Sequence, residues 1–115
     1  MLRHILRAKL HRLAVTDRRI DYEGSITIDK ALLAAADIAA GEKVQVVDIN
    51  NGARFETYVI EGRQGSGEVC INGGAARLVE AGDLIIVIAY GIVEEKELKA
   101  HKPKLVLVDS KNRIK

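Results

Sequence analysis

Apolar residues along this chain fall mostly into short runs separated by turn-forming residues, and the spacing within each run predicts the elements. Val44, Val46, Val47 and Ile49 recur at the spacing of a half-buried strand. Asn50-Asn51-Gly52 follows, then a second β-rich run from Phe55 to Ile60. An Asn–Gly step between two such runs predicts a hairpin, because its tight turn uses left-handed backbone that these residues tolerate. Val69 to Ile71 reads as a short strand between a loop at Gly62, Gly65 and Gly67 and a turn at Asn72-Gly73-Gly74. Leu84 to Ala89 is unbroken apolar sequence and is predicted to be a central strand. Leu105 to Val108, beyond Pro103, is predicted to be an edge strand. Helix enters only in short pieces. Asp29 can cap Lys30 to Ala36, with Gly41 as the stop, and single turns fit Ala75 to Glu80 and residues 94–99. Short strands joined by glycine turns indicate a small β-barrel with minor helices. One segment conflicts with this pattern. Leu2, Ile5, Leu6, Leu10 and Leu13 have near-helical spacing, so periodicity alone predicts an amphipathic helix over residues 2–13.

Composition acts mainly by exclusion. A chain of 115 residues, 48% hydrophobic and 30% charged, reads as one globular domain over residues 1–115. Its one cysteine, Cys70, permits no internal disulfide, which suits the cytoplasm. His4, His11 and His101 lack any ligand spacing, so no metal is expected. The longest apolar run, Leu84 to Tyr90, is seven residues. A membrane-spanning helix needs about 20, so no membrane is expected either. With no Trp, one Phe and three Tyr, stacking platforms for nucleic acid are scarce. The net charge of +2 is unevenly spread: residues 1–24 carry +3, residues 25–100 carry −5, and residues 101–115 carry +4. The basic end reads as a solvated C-terminal extension or as a contact for an acidic partner. Arg3, Arg7, Lys9 and Arg12 precede the first acid, Asp17, which resembles a transit peptide in composition, but the serine enrichment is missing.

Few residues offer chemistry. Cys70 lies between Val69 and Ile71 and reads as a small buried hydrophobe, not a nucleophile. Gly62, Gly65 and Gly67 lack the Lys-Ser/Thr of a phosphate-binding loop. Tyr22-Glu23-Gly24-Ser25 remains. By itself a Gly–Ser step is the sequence of an ordinary turn. It also permits one specific reaction. A serine hydroxyl can attack the carbonyl of the preceding residue and move the acyl group from nitrogen to oxygen, if that peptide bond is strained and accessible. β-Elimination at Ser25 would then break the ester and leave dehydroalanine, which hydrolyses to a pyruvoyl group.

These residues belong to a larger set of blocks. Lys9-Leu10-His11-Arg12, Tyr22-Glu23-Gly24-Ser25, Asn51-Gly52-x-Arg54-Phe55-x-Thr57-Tyr58, Asn72-Gly73-Gly74-Ala75-Ala76 and Gly82-Asp83 occur in this order. Together they resemble the aspartate 1-decarboxylase family, closely over residues 1 to about 92 and more thinly to Asp109. Gly74 departs from the pattern, since the family often has Ala there. The resemblance implies a mainly β fold, a double-psi β-barrel with short helices, in which residues 2–13 contribute a strand. It implies a cytoplasmic homotetramer with sites between subunits, acting in pantothenate biosynthesis. It further implies a precursor that cleaves itself into a β chain, 1–24, and an α chain, 25–115, with a partner protein as one candidate for assisting the cleavage.

The residue roles follow from the same resemblance. Ser25 becomes the pyruvoyl group, which takes up L-aspartate as a Schiff base, and loss of carbon dioxide leads to β-alanine. Tyr58 is the expected proton donor. Arg54 and Lys9 are expected to hold substrate carboxylates, Arg54 through a bidentate pair. Thr57 is expected to act in processing and beside the substrate. Gly73, Gly74 and Ala75 are expected to line the pocket, and Asn72 and His11 to support processing at Gly24–Ser25. The alternatives are a non-enzymatic barrel that binds RNA or protein, and the same scaffold left unprocessed and inactive.

Overall fold

The hairpin predicted around Asn51-Gly52 lies at the middle of the sheet. A computed structural model describes residues 1–115. Strand β4 (Lys43–Asp48) turns at Gly52, where φ is +78°, and returns antiparallel as β5 (Arg54–Gly62). Val44 and Val46 alternate inward, as their spacing predicts. The apolar run from Leu84 forms β7 (Leu84–Glu94), paired with β4 on one side and with β1 (Leu2–Ala14) on the other. It is therefore central, as expected. Lys104–Leu107 forms β8, an edge strand parallel to β1. On the far side of β5 lie three short strands, β3 (Ile26–Asp29), β6 (Val69–Asn72) and β2 (Asp17–Arg19). The sheet order is β2-β6-β3-β5-β4-β7-β1-β8, and its inner face closes on one cluster of 22 buried apolar residues.

Residues 2–13 are strand, as the resemblance implies and against their helical spacing, and two other expectations are corrected. Bulges between Leu6 and Ala8 and between Leu10 and Leu13 add residues to β1, and Arg12 there has φ +65°. Each added residue stretches the strand's period of two toward helical spacing. Helix α1 spans Lys30–Ala36 with Asp29 accepting from the Ala31 N–H at 2.8 Å, as expected. Its stop is Asp37, in left-handed conformation at φ +55°, and not Gly41. The C-terminal segment is no solvated extension. Val106 and Val108 are buried in the core, and the buried Asn112 bridges Ala14 and Gly67 with bonds of 2.8 Å. A side chain on Gly67 would meet the Lys111 carbonyl at 2.7 Å.

Candidate active site

Strand β3 begins from strained backbone. Gly24 has φ +96° and Ser25 has φ +90°. Glycine adopts such angles freely, whereas for serine they cost of order 1–3 kcal/mol and persist only where the surroundings enforce them. The surroundings do so here. Ser25 is only 1% exposed, and its carbonyl accepts from the Asn72 N–H at 2.9 Å. Its Oγ accepts from Asn72 Nδ2 at 2.9 Å. Gly73 presses on the same loop with φ +77°. A Cβ there would stand 2.5 Å from the Gly24 nitrogen and 3.0 Å from the Tyr22 carbonyl.

Strand pairing explains the cluster. β3 and β6 run antiparallel, with Thr27 opposite Cys70 and Ile26 opposite Ile71. One step further sets Ser25 against Asn72, and the alternation of strand side chains brings Ser25, Thr27, Cys70 and Asn72 to one face. Asn72 Nδ2 also donates to Thr27 Oγ1 at 3.0 Å, and Cys70 Sγ donates to Asn72 Oδ1 at 3.3 Å. The sequence reading missed Thr27 as a member of this cluster and took Cys70 for packing alone. Their position two residues from Ser25 and from Asn72 is a signal only once β3 is known to pair with β6.

β5 lies beside β3 on its other side. The pair is parallel with Ile26 opposite Val59, so Thr57 and Tyr58 stand next to the start of β3. Thr57 is half-buried, while Arg54, Glu56 and Tyr58 are exposed and share the opposite face. Lys43 Nζ pairs with Glu56 at 3.2 Å. Arg54 has no ion pair and no hydrogen bond, which leaves its guanidinium available to a carboxylate. A shallow cleft of about 360 Å³ is lined by Lys43, Glu56, Thr57 and Tyr58, and a wider one of about 610 Å³ follows Arg18 to Tyr22. Gly74 and the half-buried Ala75 continue from Gly73 in a 3-10 turn, Gly73–Leu78. No heavy atom lies within 4 Å of the Cβ that Gly74 lacks.

Lys9 and His11 are not brought to this cluster within one chain. β1 is separated from β3 by β7, β4 and β5 in the sheet, and no hydrogen bond joins either residue to Ser25, Asn72 or Tyr58. His11 instead lines a cavity of about 250 Å³ with Leu107, Asp109 and Lys115. Its Nδ1 is buried without a partner. Burial, then the charges of Lys9 and Arg12, hold its pKa below the usual histidine value, which favours the neutral ring.

The sequence profile of the family described as aspartate decarboxylase matches residues 1–115. An aspartate 1-decarboxylase of Acetivibrio thermocellus is 60% identical over 110 residues, covering 96% of this chain and 87% of that protein. One of Thermoanaerobacter pseudethanolicus is 56% identical over 113 residues, covering 98% and 97%. Among solved structures, the rationally designed protein mkDPBB_sym_86 superposes with a TM-score of 0.51 at 20% identity, over 67% of this chain and 90% of its own. That likeness concerns the fold alone, and it agrees with the expected double-psi β-barrel. By profile and by relatives over nearly its whole length, this chain belongs to the aspartate decarboxylase family.

Proposed function

We propose that this chain is the precursor of a pyruvoyl-dependent enzyme that converts L-aspartate to β-alanine and carbon dioxide, and that it makes its own catalytic group at Gly24–Ser25. The observation that carries this reading is the left-handed pair Gly24–Ser25, with the serine Oγ buried and held by Asn72. Attack of Oγ on the Gly24 carbonyl breaks the peptide C–N bond and forms an ester, and the proton passes to the freed nitrogen. Elimination then gives the Gly24 carboxylate and dehydroalanine. Addition of water with loss of ammonia leaves the pyruvoyl group at residue 25. Thr57, beside the start of β3, is suited to stabilise the oxyanion of the attack by a hydrogen bond.

The pyruvoyl group supplies a ketone for the substrate amine and an adjacent carbonyl that draws electrons from the α-carbon. The chain's own residues do the rest. Arg54, unpaired and exposed, holds a substrate carboxylate. Lys9 supplies a second cationic contact. Tyr58 returns a proton to the substrate carbon through its phenolic O–H. Gly73, Gly74 and Ala75 offer backbone groups along the pocket. Since Lys9 and His11 sit on β1, away from Ser25, the reading includes a homotetramer whose sites draw on two subunits. We place the enzyme in the cytoplasm and in pantothenate biosynthesis, with an assisting protein as one route to cleavage. Membership of a decarboxylase family favours catalysis over a binding barrel.

Intact mass spectrometry after warm incubation tests the reading. Fragments of residues 1–24 and 25–115 are expected, the larger lacking a free N-terminal amine and gaining an aspartate-derived mass on reduction in the presence of aspartate. Ser25→Ala should stay whole. A free Ser25 amine on the fragment that turns over aspartate would overturn the mechanism.

A further inference from the structure

Asn72 is buried, and every polar atom of its side chain is engaged. Nδ2 donates its two hydrogens to Ser25 Oγ and Thr27 Oγ1, and Oδ1 accepts from Cys70 Sγ. The two hydroxyls do not dictate this arrangement. A serine or threonine hydroxyl donates as readily as it accepts, so an amide turned over would find two donors for its oxygen. Cys70 breaks the tie. A thiol donates through S–H, whereas its sulfur is a weak acceptor for an NH₂ group. Burial pushes the Cys70 thiol above its usual value, so the hydrogen stays on sulfur at neutral pH.

We propose that Cys70 is a positioning residue for self-cleavage, its S–H fixing the Asn72 amide with Nδ2 toward Ser25 Oγ and Thr27 serving as the second anchor. The consequence is chemical. With Nδ2 toward the nucleophile, Asn72 cannot accept the serine proton. It stabilises negative charge growing on Oγ and leaves the hydroxyl hydrogen pointing to some other acceptor. Cys70 itself forms no bond to substrate. The inference rests on the reading of Gly24–Ser25 as the scissile bond, and it adds two residues that the family blocks in this sequence do not include.

Cleavage rates of the purified full-length chain decide the matter. Cys70→Ser keeps a hydrogen-bond donor and should cleave within about threefold of wild type. Cys70→Ala and Cys70→Val remove the donor, the second while filling the volume. Each should cleave about tenfold more slowly, the rate equivalent of one hydrogen bond, with unchanged circular dichroism. Packing alone would not be rescued by serine. A folded Ala or Val variant that cleaves at the wild-type rate overturns the proposal, and so does a folded Ser variant as slow as Ala. A wild-type chain that never cleaves, neither alone nor in an extract of the source cells, overturns the functional reading and this inference with it. Normal wild-type cleavage with indifferent Cys70 variants overturns the inference alone.

Discussion

Two adjacent glycines of the 3-10 turn carry opposite demands. Gly73 touches the Gly24 backbone and sits at positive φ, so its missing side chain is required by this chain's own loop. Gly74 faces open space, and an alanine fits there. Gly73→Ala should therefore lower stability by about 1–3 kcal/mol and impair cleavage, while Gly74→Ala should change the melting temperature little. Thermal melting of both variants checks this, and equal melting temperatures would contradict it. Arg54 makes a different kind of claim. Its side chain forms no hydrogen bond or ion pair, so Arg54→Lys should leave melting and cleavage intact while weakening aspartate turnover, because a point charge cannot imitate a bidentate fork. Steady-state decarboxylation by the cleaved protein measures that loss, and unchanged kinetics would remove Arg54 from the site.

Among elements, the β4–β5 hairpin is anchored by two carboxyls. Asp48 is fully buried. Its Oδ1 accepts from the Asn50 and Asn51 N–H groups at 2.8 and 3.3 Å, and its Oδ2 meets no donor. Asp83 stands within hydrogen-bonding reach of it. Burial, then the contact with Asp83, push the Asp48 carboxyl up, and the same contact holds Asp83 down. Of the two carboxyls, Asp48 is therefore the one that holds a proton more readily. A carboxyl raised by folding contributes stability while protonated and loses it as pH rises through its folded value. Asp48→Asn keeps Oδ1 and gives Asp83 a permanent N–H donor. The melting temperature of Asp48→Asn relative to wild type should therefore climb as pH rises above about 4, the ordinary carboxylate value, and a difference independent of pH would show that folding does not raise the Asp48 carboxyl. The same elements show what was legible. The Asn51-Gly52 turn and the Asp29 cap act through neighbours in sequence, and both stand as expected. Strands β2 and β3 were not foreseen. They are short and owe their existence to pairing with β6, whose paired residues lie 53 positions from β2 and 41 to 45 from β3. The bulges of β1 were hidden for the same reason, since they are set by the partner strand β7. Ser25, Asn72, Thr57 and Tyr58 were found through their blocks, but their partners Thr27 and Cys70 become visible only with the β3–β6 register.

For the whole molecule, the proposed site residues divide between two places. Ser25, Asn72, Gly73, Thr57 and Tyr58 gather where β3, β5 and β6 meet, while Lys9 lies on β1 beyond β5, β4 and β7. A charge so placed can serve the Ser25 of its own chain poorly, yet in a symmetric assembly it can serve that of a neighbour. The exposed apolar side chains of β1, β7 and β8, among them Leu2, Ile92, Leu105 and Leu107, offer surface for such an assembly. This arrangement can be tested by mixing. Lys9→Ala should abolish most turnover while leaving cleavage intact, and Ser25→Ala should abolish both. Dissociated and reassembled together in equal amounts, the two inactive variants would form some interfaces with Ser25 from one and Lys9 from the other. Random pairing across a two-subunit site should restore about a quarter of the wild-type activity per subunit. A site built within one chain gains nothing from mixing, because every chain then carries one defect. Recovery of activity would assign Lys9 to the neighbour's site. A mixture that stays inactive, although size-exclusion chromatography shows hybrid assembly, would remove Lys9 from the shared site.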